Sequence, residues 1–216
     1  MKSFLVIGLN SFGTHLCREL YEQGSEVMIA DKKEERLEDA LKYSISAKVG
    51  DCSDEDVLRS FGVGNFDCCF VCIGDSFQDS LQVTSLLKEL GAKKVISKAS
   101  NEIHTKFLLR NGADSVIYPD KDTARTLAIS EVSDNIFDCI PLTDEYFIYE
   151  ISPDAKWSGK TLKELNLRAG YKLNVLAVKR NGVVDPMPYA DHVISADEHL
   201  VVLGRAEDIK KINSRK

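Results

Sequence analysis

The chain has 216 residues, a length that fits either one large domain or two small ones. Hydrophobic residues make up 44% and charged residues 29%, which is ordinary for a globular protein and excludes long disorder, collagen and a coiled-coil rod. The net charge of −6 argues against nucleic acid as the main partner. Residues 1–140 hold 16 basic and 23 acidic side chains, whereas residues 141–216 hold 12 and 11, so the acidity belongs to the first part and hints at two modules.

We expect neither a membrane span nor a signal peptide. The longest stretch without a charged residue, residues 3–17, is too short and too polar to cross a bilayer. No small-x-small cleavage site follows the apolar start of the chain. Without export, the six cysteines are not expected to form disulfides. Cys68, Cys69 and Cys72 lie along an apolar strand and are interpreted as small buried hydrophobes rather than zinc ligands.

Six short apolar segments alternate with six helical patterns in the first two-thirds of the chain. The predicted strands are residues 4–7, 27–30, 45–49, 68–73, 94–97 and 115–118. The predicted helices are residues 14–22, 33–43, 54–61, 77–90, 103–110 and 122–134, the last with Ala124, Leu127, Ala128 and Ile129 facing inward. This alternation predicts an α/β fold, a doubly wound parallel Rossmann-like sheet covered by helices on both faces.

The pattern changes after residue 138 to short alternating strands separated by turns. The predicted strands are residues 145–151, 173–179, 182–184 and 199–203, and the helices are residues 162–167 and 206–212. We therefore divide the chain into an α/β domain, residues 1–138, and a small α+β domain, residues 139–216. The second is marginal for independent folding, so docking or dimerisation would help it.

A glycine-containing loop, residues 8–13, lies between the first strand and the first helix. The dinucleotide pattern is Gly-x-Gly-x-x-Gly, in which the glycines allow a tight turn, a close approach of phosphate and close helix packing. Gly8 and Gly13 match it, whereas Asn10 replaces the middle glycine and adds bulk where the phosphate should lie. The helix start offers N–H groups and a positive dipole to an anion. The loop predicts nucleotide binding, and a doubly wound domain that has lost its nucleotide is the alternative.

Polar residues end the following strands, where ligands of parallel sheets bind. Asp31 ends the second strand, and its carboxylate would accept hydrogen bonds from ribose hydroxyls. Asp51 is a candidate either for ligand contact or for local helix capping. Lys98 ends the fifth strand and either reaches a phosphate or is merely solvated. The candidate nucleotide-binding residues are Gly8, Asn10, Ser11, Phe12, Gly13, Asp31, Lys32, Asp51, Cys52, Gly74 and Lys98.

No residue pattern suits catalysis. The four histidines, His15, His104, His192 and His199, have no partners at metal-ligand spacing, and there is no nucleophile elbow or paired-carboxylate pattern. The second module is too small for a substrate domain and offers no acid–base residue. We therefore do not expect an enzyme, although an NAD(P)-dependent oxidoreductase is kept as the alternative.

In sequence order, several segments resemble the Ktr/Trk family of bacterial potassium uptake regulatory subunits (KtrA/TrkA-type), which contain an N-terminal and a C-terminal RCK (regulator of potassium conductance) domain. The resemblance covers nearly the whole chain, and the single-unit length is closer to KtrA-type chains than to tandem TrkA-type chains. The matching segments are VIGL, IAD, GDCSDE, LLKELG, SKA, NGAD and YPDKD in the first part, and LNLRA, NVLAVKR and HLVVLG in the second.

The resemblance implies a cytoplasmic, peripheral subunit that forms homodimers and then an octameric ring beneath an integral membrane potassium transporter. ATP or ADP would change the shape of the ring and so control K⁺ flux. Asp120 matches an acidic position that can help hold a divalent cation. In the second domain, Arg168, Ala169, Asn174 and Pro188 are the candidate residues for cyclic di-AMP.

The chain departs from the family at the phosphate loop, which usually reads Gly-x-Gly-Arg-Phe-Gly. Asn10 stands for the middle glycine and Ser11 for the arginine that helps to neutralise the terminal phosphate. A polyphosphate facing an acidic domain without that arginine would bind more weakly. ADP, AMP, NAD(H) and an empty site therefore stay open beside ATP, as does an orphan nucleotide or redox sensor of the same fold.

Overall fold

The structure, a computed structural model, describes residues 1–213, apart from the side chains of Lys210, Lys211 and Asn213. Its contacts form two compact units, Met1–Asp120 and Lys121–Lys216. No helix within residues 1–213 is long and apolar enough to span a bilayer.

The first unit is a six-stranded parallel sheet with helices between the strands, which confirms the predicted doubly wound fold. Its strands are β1 Ser3–Ile7, β2 Glu26–Asp31, β3 Ser46–Val49, β4 Cys68–Val71, β5 Val95–Lys98 and β6 Ser115–Ile117. Its helices are α1 Ser11–Glu22, α2 Glu34–Glu38, α3 Glu55–Ser60, α4 Phe77–Glu89 and α5 Glu102–Arg110, with single 3-10 turns at Leu41–Tyr43 and Val63–Asn65. The strand order is β3-β2-β1-β4-β5-β6, so the order reverses between β1 and β4.

The burial predicted for Cys68, Cys69 and Cys72 is confirmed and extends to all six cysteines. All six are buried and unpaired, and Cys52, Cys69 and Cys72 pack in the cores on either side of the sheet. Burial raises the pKa of Cys17 and Cys68 to about 11 and that of Cys52, Cys69 and Cys72 to about 12. At neutral pH these side chains are therefore protonated and pack as small apolar groups.

The start of α1 lies against the end of β1, and two glycines make this possible. Gly8 has a φ of 92°, and a Cβ there would come within 3.0 Å of the Cys72 carbonyl carbon. A Cβ at Gly13 would lie 2.1 Å from the Gly8 carbonyl oxygen. Only glycine fits at position 13, since the oxygen that a Cβ would meet there belongs to the backbone and cannot move aside.

The helix after β6, α6 (Pro119–Glu131), differs from its predicted orientation. Of the four residues expected to face inward, Leu127 is 57% exposed, Ala124 and Ala128 are also exposed, and Ile129 alone packs against a core. The prediction was wrong for three residues because apolar spacing marks a helix face without identifying what covers it.

The second unit is a five-stranded antiparallel sheet with small helices. The strands are β7 Ile136–Pro141, β8 Tyr146–Ile151, β9 Asn174–Arg180, β10 Val183–Asp185 and β11 His199–Arg205, in the order β10-β9-β11-β8-β7. The helices are α7 Leu162–Leu165, α8 Leu167–Tyr171 and α9 Ala206–Asn213, with a 3-10 turn at Ala155–Trp157. The sequence predicts a single helix at residues 162–167, whereas the structure has the two short helices α7 and α8. Asn166 separates them, because its φ of 41° is left-handed.

Residues 121–138 belong to the second unit by their contacts, although the sequence places the domain boundary at 138 and 139. Ile129 packs against the core of this unit, and the Arg125 guanidinium lies 4.8 Å from the ring centroid of Phe147. Strand β7 was not predicted as a strand, because only two of its six residues are buried. The assignment of residues 1–138 to one functional domain stays a prediction.

A buried polar network joins α4, α5 and β5. His104 Nε2 lies 2.6 Å from Ser80 Oγ, and the Ser100 N–H donates to His104 Nδ1 at 3.2 Å. Thr84 Oγ1 lies 2.8 Å from Ser97 Oγ in the same layer. With Nδ1 accepting, the imidazole is neutral and carries its proton on Nε2. Burial lowers the pKa of His104 from 6.5.

Substitution of Gly13 tests the contact between β1 and α1. We expect Gly13→Ala to lower the free energy of unfolding by about 3 kcal/mol or more, because the new Cβ meets backbone that cannot yield. Gly64→Ala is the control, since its Cβ would lie at an ordinary 3.4 Å from the Gly91 carbonyl oxygen. Urea unfolding measures both variants, and equal stability of the two would contradict this account.

The neutral state of His104 predicts a pH dependence. Because its folded pKa lies below the unfolded value of 6.5, the stability that it contributes is present above pH 6.5 and is lost as the pH falls from there. His104→Gln should reduce this loss, by up to about 1.4 kcal/mol per pH unit. Thermal unfolding at pH 7.5 and 5 measures the effect. His15→Gln, on the exposed face of α1, is the control and should keep the pH dependence of the native chain.

Candidate functional site

A groove lies at the carboxyl ends of β1 to β4, where the strand order reverses. It is lined by the turns after these four strands and by the starts of α2 and α4. The lining residues are Ile7, Gly8, Asn10, Asp31, Lys32, Arg36, Gly50, Asp51, Cys52, Cys72, Ile73, Gly74, Asp75, Ser76 and Asp79. This is the position at which doubly wound folds hold their ligands.

Asp31 is the buried acid at the centre of the groove. Its Oδ2 accepts the Leu9 N–H at 2.7 Å, and its Oδ1 accepts the Lys33 N–H at 2.9 Å. The carboxylate thus joins the end of β2 to the loop after β1. A carboxylate accepts about four hydrogen bonds, so acceptor capacity remains for ligand hydroxyls.

Asn10 is the N-cap of α1. Its Oδ1 accepts the Gly13 N–H at 3.1 Å, and its Nδ2 donates to the Cys72 carbonyl at 2.6 Å. The side chain therefore satisfies one of the unpaired donors at the helix start and ties the loop to the end of β4.

Cations in the groove are paired with acids on its rim. Arg36 Nη2 donates to Asp75 Oδ2 at 2.7 Å, and Lys32 Nζ lies 3.4 Å from Asp79 Oδ2. The hydrogen bond and charge of Arg36 hold the pKa of Asp75 below its ordinary range. Arg36 Nη1 also lies 3.8 Å from Asp31 Oδ2. With Asp51 included, the lining of the groove contains four carboxylates and two cations.

Asp51 stabilises the turn before α3. Its Oδ1 accepts the Ser53 hydroxyl at 2.6 Å and the Ser53 N–H at 2.9 Å, and these bonds lower the pKa of Asp51. The helix-capping alternative for Asp51 is wrong, because the N-cap of α3 is Asp54, whose Oδ1 accepts the Asp56 N–H at 2.9 Å. Asp51 also lines the groove, and its contact with a ligand stays a prediction.

The groove brings together seven of the eleven predicted nucleotide-binding residues. Those seven are Gly8, Asn10, Asp31, Lys32, Asp51, Cys52 and Gly74. The other four, Ser11, Phe12, Gly13 and Lys98, do not line it, and Gly13 is buried beneath the loop. Lys98 Nζ instead lies 5.7 Å from the ring centroid of Phe12.

Sequence reasoning missed Arg36, Ser76 and Asp79 as groove residues. Arg36 lies in α2, the helix that follows β2. Ser76 is the N-cap of α4, and its hydroxyl oxygen accepts the Asp79 N–H at 3.1 Å. The Ser-x-x-Asp spacing before an apolar helix was the available signal for the cap. Nothing in the sequence pairs Arg36 with Asp75.

A second, more open depression lies in the second unit. It is lined by Leu162, Lys163, Asn166, Leu167, Arg168, Leu173, Asn174, Val175 and Ala190. Two predicted residues meet there, since Arg168 Nη2 donates to Asn174 Oδ1 at 2.7 Å. Ala169 and Pro188 do not line it, and Lys163, Asn166 and Ala190 were not predicted.

Asp120 is exposed near the start of α6. Within the described residues, no group of three or more His, Cys, Asp or Glu side chains is arranged to hold a metal ion. The cation role of Asp120 stays a prediction.

Comparisons with known proteins agree with this architecture. The TrkA-N domain model matches residues 4–119, and the TrkA-C domain model matches residues 146–215. The chain is 39% identical over 214 residues to the Ktr system potassium uptake protein C of Bacillus subtilis (strain 168), covering 99% of this chain and 97% of that protein. It is 37% identical over 213 residues to the Ktr system potassium uptake protein A of the same organism, covering 99% and 96%.

Solved structures show the same fold at low sequence identity. The GsuK channel aligns with a TM-score of 0.71 and 18% identity, covering 99% of this chain and 39% of the channel chain. The GsuK RCK domain structure aligns with a TM-score of 0.68 and 17% identity, covering 98% and 47%. The chain thus spans less than half the length of these two structures. From the two domain models and the identity to both Bacillus proteins, the chain belongs to the TrkA-N/TrkA-C family that includes the Ktr potassium uptake proteins.

Proposed function

We propose that the protein is a nucleotide-binding regulatory subunit of a Ktr/Trk-type potassium uptake system. It controls K⁺ flux through an integral membrane partner by changing conformation with its ligand. The observation that carries the proposal is the groove around Asp31, at the strand ends where this fold holds nucleotides, in a chain related over its whole length to Ktr proteins. The proposal assigns it no catalysed reaction.

The ligand is ATP or ADP in this proposal, with AMP and NAD(H) as alternatives. The GsuK channel bound to NAD aligns with a TM-score of 0.69, and the Kef CTD of Shewanella denitrificans in AMP-bound form aligns with a TM-score of 0.50. Both of these ligands are adenine nucleotides, which supports the ligand class.

The groove suggests how each part of a nucleotide would be held. Asp31 is fixed by two backbone N–H donors and would accept the ribose hydroxyls. The helix start after Asn10 would face phosphate, with Lys98 beside Phe12 as the nearby cation. Asp120 would help to hold a divalent cation.

Assembly into homodimers and an octameric ring would cover apolar side chains that the single chain exposes. On α5, Ile103 is 64% and Phe107 41% exposed, and Leu127 on α6 is more than half exposed. Helix faces of this kind are typical of interfaces between copies. The ring would act on the cytoplasmic side and reach the membrane through its partner.

The depression beside α8 is the proposed site for cyclic di-AMP. The Arg168 guanidinium is exposed and held by Asn174, so it can donate to a phosphate through charge-assisted hydrogen bonds. A second copy would be needed to enclose the ligand, since the depression is open.

Asp31 is the residue that tests nucleotide binding. We expect Asp31→Ala to abolish the rise in melting temperature that ATP or ADP causes, because the ribose acceptor is removed. The variant should also lose about 1–3 kcal/mol of stability, since the buried Leu9 N–H loses its partner. The readout is therefore the ligand-induced change in melting temperature of each variant.

Asp67→Ala is the matched control for that experiment. Asp67 also accepts a backbone N–H, that of Ser3 at 2.8 Å, but it lies at the opposite end of β1. This variant should keep the nucleotide-induced shift. An unchanged shift in Asp31→Ala would contradict the site assignment.

Arg168 tests the second site. In the full-length chain, Arg168→Ala should weaken cyclic di-AMP binding by about tenfold or more in calorimetry, the effect of losing a charge-assisted bond to phosphate. Arg180→Ala is the control, because Arg180 pairs with Asp197 outside the depression. Equal affinity of both variants, or no binding heat in the native chain, would refute the second site.

A further inference from the structure

Asn10 spans the crevice at which the strand order reverses. The crevice lies between β1 and β4, and the Asn10 side chain crosses it from the loop after β1 to the Cys72 carbonyl after β4. Doubly wound folds bind dinucleotides across this crevice, with one nucleotide on each side of the reversal. A residue that bridges it therefore affects what size of ligand can bind.

The bridge is held at both ends of the amide. Nδ2 donates to the Cys72 carbonyl at 2.6 Å, and Oδ1 accepts the Gly13 N–H at 3.1 Å. A Cβ at Gly74 would lie 3.2 Å from Nδ2, so the loop after β4 is also close to the amide. Oδ1 thus satisfies one of the unpaired N–H donors at the start of α1.

The groove reaches only the first strand beyond the reversal. Its residues come from the ends of β1, β2, β3 and β4 and from the first turn of α4. Lys98, at the end of β5 on the far side of the reversal, does not line it. The groove therefore extends from the side of Asp31 and Asp51 to the turn after β4, where Asn10 contacts Cys72, and it does not reach β5.

We propose that Asn10 is a specificity-determining residue that restricts the groove to a single nucleotide and excludes dinucleotides. The proposal rests on the nucleotide site described under the proposed function. Asn10 and Cys72 close the path that the second half of a dinucleotide would take. The ligand class is a mononucleotide held by its ribose at Asp31.

The test compares AMP and NAD⁺ binding to the native chain and to Asn10→Gly by calorimetry. The backbone at position 10 is extended, with φ −73° and ψ 179°, so glycine introduces no strain. The native chain should bind NAD⁺ no more tightly than AMP. Asn10→Gly should raise the ratio of NAD⁺ to AMP affinity about tenfold, since it removes the side chain that crosses the path between the two halves of the crevice.

Asn101→Gly is the matched control. Asn101 is the N-cap of α5 and accepts the His104 N–H at 2.8 Å, so its loss removes the same kind of cap away from the groove. Both variants should lose a similar small amount of melting temperature, and only Asn10→Gly should change the affinity ratio. Asn10→Ser keeps a cap acceptor and removes the bridge, and it gives the same test if Asn10→Gly proves unstable.

The outcomes separate this proposal from the one it rests on. If AMP binds but the affinity ratio is the same in the native chain and the Asn10 variants, Asn10 does not set specificity and the nucleotide site stands. A native chain that binds NAD⁺ about tenfold more tightly than AMP also overturns the proposal. If the native chain and the variants bind neither AMP nor NAD⁺, the role of Asn10 fails, and the same titration with ADP decides whether the nucleotide site fails with it.

Discussion

The approach of α1 to the end of β1 is the constraint on which the groove depends. It requires that position 13 carry no Cβ, because that atom would lie 2.1 Å from the Gly8 carbonyl oxygen. With the helix start held there, Asn10 reaches Cys72 and Leu9 donates its N–H to Asp31. One close backbone contact therefore positions the loop, the acid at the end of β2 and the crevice between β1 and β4.

Negative charge is concentrated around a groove proposed to hold an anion, and local bonds reduce the conflict. Asp31 and Asp51 each accept a backbone N–H, and Asp75 accepts from Arg36. These carboxylates are stabilised by the protein itself and need no ligand cation. The consequence is that Arg36 is already engaged, so a phosphate would depend mainly on the helix start and on Lys98.

Much of the fold was predictable from the sequence because its signals are local. Apolar segments of four to six residues alternate with helical patterns, and this alternation permits few arrangements other than a parallel sheet. Gly8, Gly13 and Asp31 were identifiable because the turn and the strand end need those residue types. Strand β7 and the break at Asn166 were not, because a half-exposed strand and a single left-handed residue leave little local pattern.

The sequence by itself determined the class of fold, the family resemblance and seven of the fifteen residues that line the groove, since each depends on residue type and spacing. Only the tertiary structure decided that Arg36 pairs with Asp75, that Leu127 is exposed on α6, and that Asn10 bonds to Cys72. Arg36 and Asp75 are 39 positions apart, and Asn10 and Cys72 are 62 positions apart. The exposure of Leu127 depends on what covers that face of α6. Spacing along the chain does not encode such distances, because they are set by how the strands are ordered in the sheet.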